Sequence, residues 1–228
     1  MKAELLRVLK GAILVSFVFL VSCYKPLDTD SDIIVSIRDQ KMLLSQKGAP
    51  VKLYPISTSK YGEGSQKGSM KTPLGLMSVA KKIGAGSPPG TVFKSRKKTG
   101  EVIEPNAPGR DPIVTRILWL KGHERHNLNT FSRYIYIHGT PEERNIGKRV
   151  SYGCIRMTSE DIIDFYQRVG VGAKIRIIRS RLRATYAGRA YYAALELKKQ
   201  QQQAALELAQ RLEMEKENEL KEANQGEE

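Results

Sequence analysis

Between residues 33 and 178 the apolar side chains come in short bursts rather than in helical stripes, and that spacing constrains the fold most. Ile33-Ile34-Val35-Ser36-Ile37 reads as a strand. A polar turn at Asp39-Gln40 leads to Met42-Leu43-Leu44, and Lys47-Gly48-Ala49-Pro50 leads to Val51-Lys52-Leu53-Tyr54. Runs of this length bounded by turn residues predict a hairpin or meander. Residues 76–80, 113–120, 134–137 and 174–178 supply further strands. A glycine-rich loop runs from Tyr61-Gly62-Glu63-Gly64 to the proline turn of Thr72-Pro73-Leu74-Gly75. Residues 84–111, rich in Pro, Lys and Arg, read as a long exposed loop of the kind that often carries function. Helical periodicity in this region is confined to residues 158–168. There Ser159 is the expected cap, Asp161 lies in the first turn, and Ile162, Ile163, Phe165 and Tyr166 form a buried face. No regular βαβ alternation appears, which argues against a nucleotide-binding sheet. The expected class is mostly β (α+β).

Beyond residue 180 Ala, Leu, Glu, Lys and Gln take over, a composition that favours helix. Leu195, Leu206, Leu208, Leu212 and Leu220 keep no clean heptad, so the reading is a long solvated helix rather than a strong coiled coil. It is either a tail without a task or a spacer that recruits a protein partner.

At the other end Lys2, Arg7 and Lys10 accompany an apolar run over residues 12–21, the length of a signal peptide and too short to span a bilayer. The run ends in Leu20-Val21-Ser22-Cys23, which resembles the bacterial lipobox. In that signal the cysteine is lipid-modified and becomes the first mature residue. The resemblance implies a signal peptide over residues 1–22, lipidation at Cys23 and a tether over residues 23–31. The protein would then be exported and lipid-anchored in the envelope, on the periplasmic face. Tyr24, standing where an Asp tends to retain lipoproteins at the inner membrane, favours the outer one. Cys23 and Cys154 are the only cysteines. With Cys23 acylated, Cys154 is a lone thiol in an exported protein, a candidate for reactivity rather than for a disulfide. The formal net charge is +14, and before residue 180 there are 30 Lys+Arg against 15 Asp+Glu. Such a body suits a polyanionic surrounding, whether nucleic acid, anionic lipid or a carboxylate-rich wall polymer. Export argues against nucleic acid.

The informative segment is Tyr134-Ile-Tyr-Ile-His138-Gly139-Thr140, followed after a loop by Ser151-Tyr152-Gly153-Cys154-Ile155-Arg156-Met157. A strand delivers His138 at its end, and Gly139 and Gly153 allow the backbone to turn beside each chemical group. A glycine next to a nucleophile admits substrate closely and leaves backbone N–H groups to face a developing oxyanion. A thiol becomes useful when an imidazole takes its proton.

Here the chain resembles the L,D-transpeptidase catalytic domain, or YkuD, family. That family pairs an upstream His-Gly with a Ser/Thr-His-Gly-Cys signature followed by a hydrophobic residue and Arg or Asn. His138-Gly139, Ser151, Gly153-Cys154, Ile155 and Arg156 match it. Gln40, Tyr54-Pro55-Ile56-Ser57-Thr58 and Lys71-Thr72-Pro73-Leu74-Gly75 match weaker flanking features. The resemblance covers residues 32–179. It implies a β-sandwich or barrel with one helix after the catalytic cysteine, followed by the helical tail over residues 180–228. It implies Cys154 as nucleophile, His138 as base and the Gly139 carbonyl as the group that orients the imidazole. Ser151, Tyr152, Gly153 and Arg156 would bind substrate, Arg156 by holding carboxylates of a peptidoglycan stem. The implied reaction is 3→3 cross-linking through a thioester with diaminopimelate, without cofactor or metal. Hydrolysis, exchange of the terminal D-amino acid, or non-catalytic wall binding are the alternatives. One departure is clear: Tyr152 stands where the family usually has histidine. Its hydroxyl can donate or accept, but it cannot be a cation near neutral pH.

Other motifs read as surface. His123-Glu-Arg-His126 lacks the His-Glu-x-x-His order of a zinc helix. The glycines at 62, 64 and 68 have no Gly-Lys-Ser/Thr ending. The basic cluster at residues 94–98 has no interleaved aromatics to stack bases. Trp119 reads as core.

Overall fold

The computed structural model describes residues 26–225, so the signal-peptide and lipobox readings lie outside the described residues. Ten strands form one sheet: β1 Ser31–Ser36, β2 Lys41–Gln46, β3 Ala49–Pro55, β4 Gly75–Ile83, β5 Thr91–Lys94, β6 Lys97–Val102, β7 Ile113–Gly122, β8 Tyr136–Gly139, β9 Ile155–Met157 and β10 Lys174–Ile178. Two helices complete the fold among the described residues, α1 Ser159–Arg168 and α2 Tyr186–Gln225. The sheet runs β3-β2-β1-β10-β4-β7-β5-β6 as an open path, and β8 branches from β7 to carry β9. Two pairs are parallel, β1 with β10 and β8 with β9; the other pairs are antiparallel.

The period-two alternation of β7 explains how the sheet can carry a site on one face and a core on the other. Leu118 and Leu120 join Ile137, Ile155, Met157, Ile162 and Phe165 in the main core. Ile117 and Trp119 point the other way and join Phe93 and Tyr136 in a second cluster, with Cys154 packed against it. Trp119 is buried as expected, and there its ring stacks on Phe131 at 4.0 Å.

Residues 84–111 are not a long loop. They contain the β5–β6 hairpin, whose two-residue turn places Ser95 and Arg96 at φ 50° and 67°. That is the twist a tight hairpin requires, reached here without the Gly or Asn that normally announces it. All six residues of β6 are exposed, so no apolar alternation marked the strand either.

The cap of helix α1 lies one residue earlier than expected. Thr158 is the cap, its Oγ1 accepting from the Asp161 N–H at 3.1 Å. Ser159 lies inside the helix, and its hydroxyl turns instead to Thr115 Oγ1 at 2.8 Å. The Ser159 N–H donates to Glu143 Oε1 at 2.7 Å, so a second free donor of the first turn is also satisfied. The tail is helical as its composition dictates. Its first turns pack near β3, where Tyr191, Ala194 and Leu195 meet Pro50 and Val51, and from residue 196 to 218 its side chains are exposed.

Thr158→Ala removes a cap whose helix immediately follows the motif strand, and should cost about 1 kcal/mol of stability. Urea unfolding checks this; an unchanged midpoint would show that Glu143 alone suffices to start α1.

Candidate active site

The site is built on the parallel β8–β9 pair, in which Ile137 faces Ile155, His138 faces Arg156 and Gly139 faces Met157. Paired residues of parallel strands point to the same face. Ile137, Ile155 and Met157 therefore enter the core together, and the opposite face carries His138 and Arg156, with Tyr136 and Cys154 one step back along each strand. The thiol is fixed in that array from two sides. The Tyr136 N–H points at Cys154 Sγ at 3.4 Å, and the thiol points at the Tyr134 carbonyl at 3.4 Å.

His138 is 4 % exposed, and its Nδ1 lies 2.8 Å from the carbonyl oxygen of Gly139. A carbonyl can only accept, so Nδ1 carries the proton and the lone pair of Nε2 is left free. Gly139 leaves no room for a side chain, since a Cβ there would stand 2.7 Å from the Val114 carbonyl oxygen. Burial pushes the His138 imidazolium down to about 4, the Gly139 hydrogen bond opposing and the Arg156 charge adding to the shift. Burial pushes the Cys154 thiol up to about 11, against the Tyr136 N–H and the charges of Arg156 and Arg133, which all favour the thiolate. Burial thus disfavours the charged form of both groups, and each is uncharged near neutral pH.

The loop before the cysteine is folded by Ser151. This buried residue donates its hydroxyl to the Cys154 carbonyl at 2.6 Å and accepts from the Gly153 N–H at 3.3 Å. Gly153 has φ +117°, and a Cβ would press on Ile135 and the Lys71 carbonyl, both at 3.3 Å. The flanking motif residues hold this loop from behind. Thr72 Oγ1 donates to the Gly153 carbonyl and accepts from the Ser59 N–H, each at 3.1 Å. Ser151 N donates to the Thr58 carbonyl, and Thr58 is locked by Gln40 through both its backbone N–H and its hydroxyl.

Arg156 is not placed to hold a substrate carboxylate. It is 8 % exposed, and its Nη1 lies 2.6 Å from Asp111 Oδ2. The other Asp111 oxygen accepts from Thr140 Oγ1 at 2.6 Å. The guanidinium is thus buried and already paired; it reaches His138 and Cys154 through its charge. Tyr152, by contrast, is open to solvent at 55 % exposure. It lines a pocket of about 440 Å³ together with Lys67, Met70, Arg133, Tyr134 and Ile135. Arg133 is tied to the Gly64 and Lys71 carbonyls at 3.1 and 2.8 Å and to Ser69 Oγ at 3.3 Å. Above the second cluster, Arg96 from the hairpin tip sits 5.1 Å from the Trp119 ring and 5.0 Å from the Tyr134 ring.

The β8–β9 pairing thus sets His138 and Gly139 alongside the segment of Ser151, Gly153 and Cys154, with Tyr152 open to solvent and Arg156 directly across from His138. Sequence reasoning missed Asp111, Arg133 and Lys60, which come from distant segments and carry no local motif. The histidines of residues 123–126 fall elsewhere: His123 bonds Ser78 Oγ at 2.8 Å and His126 lies 3.2 Å from the Leu74 carbonyl.

A family model described as YkuD, L,D-transpeptidase catalytic domain, matches residues 30–177. The chain is 30% identical over 152 residues to the putative L,D-transpeptidase YqjB of Bacillus subtilis, covering 67% of this chain and 73% of that protein. It is 42% identical over 53 residues to the probable L,D-transpeptidase YbiS of Escherichia coli, which is 23% of this chain but only 17% of that one. Among solved structures, L,D-transpeptidase 3 of Mycobacterium tuberculosis with a faropenem-derived adduct matches with a TM-score of 0.43 and 19% identity, over 66% of this chain and 60% of that one.

The protonation states can be read directly. Thiolate absorbance, taken as the difference from Cys154→Ala, should stay flat through pH 9, where an ordinary thiol ionises, and rise only toward about 11. Folding linkage follows with the same signs. The raised thiol contributes stability that is lost as pH climbs from 9 to about 11. The depressed imidazole contributes stability that is lost as pH falls from 6.5 to about 4. A thiolate already present at pH 7 would mean an ion pair instead.

Proposed function

The chain belongs to the L,D-transpeptidase catalytic domain family, and we propose that it is a cysteine acyltransferase forming 3→3 cross-links between peptidoglycan stems. The observation that carries this reading is the His138 tautomer: Nδ1 is committed to the Gly139 carbonyl, so Nε2 is available as a base on the sheet face that also presents Cys154.

His138 Nε2 takes the thiol proton as Cys154 Sγ attacks the diaminopimelate carbonyl carbon of a tetrapeptide stem. Because thiol and imidazole start neutral, deprotonation and attack proceed together, as in general-base catalysis. The negative charge that develops on the carbonyl oxygen is favoured by the nearby Arg156 guanidinium. Collapse breaks the C–N bond to the terminal D-Ala, whose amine nitrogen receives the proton from His138, and a thioester remains. A stem amine then loses a proton to His138 and attacks the thioester carbonyl. The C–S bond breaks, and the thiolate regains its proton. The N-terminal segment would tether this domain to a membrane through lipid on Cys23, bringing it to the wall from an envelope anchor.

Intact-mass analysis with meropenem should show a covalent adduct, because a strained lactam offers the same acyl carbon to the thiol. Tetrapeptide muropeptides should yield D-Ala and dimers. Cys154→Ala should lose adduct and turnover entirely, and His138→Ala should slow acylation by roughly 10²–10⁴-fold. D-Ala release without dimers would replace the transferase reading with hydrolysis or exchange. Adduct formation by the Cys154→Ala protein would mean that the nucleophile is misassigned.

A further inference from the structure

Arg156 and Arg133, whose charges act on the thiol, are both engaged, one by Asp111 and the other by three oxygen acceptors. A cation that remains available stands on the rim. The Lys60 backbone N–H donates to the Ser151 carbonyl at 3.1 Å, next to the Ser59–Ser151 bridge, so Lys60 is pinned to the first residue of the cysteine loop. Its ammonium reaches Tyr152 Oη at 3.2 Å, two positions before Cys154. The same nitrogen lies 4.5 Å from the centre of the Tyr152 ring and 5.3 Å from that of Tyr61, and the two rings are 5.9 Å apart. Two aromatic faces thus hold the ammonium in place without neutralising it. Among the described residues no carboxylate lies within ion-pair distance of Lys60.

The donor count is specific. An ammonium has three N–H groups, and the tyrosine oxygen takes one of them. Accepting from lysine leaves the Tyr152 O–H to donate outward. One N–H or more and one O–H therefore converge on solvent at the lip of the pocket that Tyr152 also lines. Two neighbouring donors, one of them charged, match the two oxygens of a carboxylate.

We infer that Lys60 and Tyr152 together form the carboxylate anchor of this site, binding the side-chain carboxylate of the diaminopimelate residue that Cys154 acylates. This rests on the transferase reading above and names the recognition element within it. The pair supplies the positive charge that tyrosine alone cannot, which accounts for a functional loop without the usual histidine. It also offers a cation at the rim, where Arg156 is buried against Asp111.

The test uses two tetrapeptides that differ only in whether that carboxylate is free or amidated. With the free carboxylate, Lys60→Gln should raise KM roughly five- to tenfold and leave kcat within about twofold, the scale of one charge-assisted contact at an exposed rim. Lys60→Arg should restore most of the loss. Amidation should cost the unaltered protein the same factor and cost Lys60→Gln almost nothing. An equal loss on both peptides would mark Lys60 as merely structural and overturn the anchor, and so would no loss on either. Calorimetric binding of both peptides to Cys154→Ala, with and without Lys60→Gln, separates the anchor from the chemistry. If the unaltered protein turns over neither peptide but the binding difference persists, the transferase reading fails while the anchor stands. If Lys60→Gln binds both peptides as Cys154→Ala alone does, the anchor fails whatever the turnover.

Discussion

The parallel pairing of β8 with β9 is the constraint on which the rest depends. Parallel neighbours cannot be joined by a tight turn, so the chain must leave the sheet at Gly139 and return at Ile155. That excursion is the loop that carries Ser151, Tyr152 and Gly153 and ends on Cys154. Register then does the remaining work. A slip of one residue would send His138 into the main core and turn Ile137 to the face that His138 now occupies. The apolar side of the pair, Ile137, Ile155 and Met157, is buried among Leu118, Ile162 and Phe165, so such a slip would pull large hydrophobes out of the main core and put an imidazole there. The core fixes the register, and the register places the imidazole and the thiol on one face.

The face so created is electrostatically guarded. An ion pair as deeply buried as Arg156–Asp111 is weak evidence for stability, because desolvating both charges offsets most of their attraction. Its position explains it better. Arg156 faces His138 directly across the strand pair and disfavours the imidazolium, while Asp111 keeps the guanidinium from facing bare protein. The same charge favours a thiolate at Cys154. Arg156 thus bears by its charge on both His138 and Cys154 from the face that they share.

The parts of this arrangement that were legible in the sequence are the local ones. His138-Gly139 and Ser151 to Cys154 are contiguous, and glycine at 153 is dictated by a positive φ that other residues adopt with strain. Long-range partners left no such trace. Asp111 lies 45 positions before Arg156, and Lys60 lies 92 before Tyr152. Each is one charged residue among many in a chain with 38 Lys+Arg. The pairing of Arg156 with Asp111 was not legible for that reason, since no local motif announces it. The β5–β6 hairpin escaped for another. Strand periodicity is a record of burial, and a strand exposed at every position has none to show.

The opposed protonation of His138 and Cys154 bears on how such a site stays quiet at rest. A resting thiolate is the form that oxidants and metals attack. Here burial holds the thiol protonated above neutral pH and holds the imidazole as a free base, so under the proposed mechanism the nucleophile is latent. Converting it needs an acyl carbon to receive the electrons as the proton leaves, and only a bound substrate supplies one. Burial also raises the cost of any charge that develops unpaired, which makes the fixed positive charge of Arg156 more effective at the moment of attack. On that mechanism reactivity is coupled to occupancy: the environment that silences the free thiol would be the one that strengthens stabilisation of its transition state.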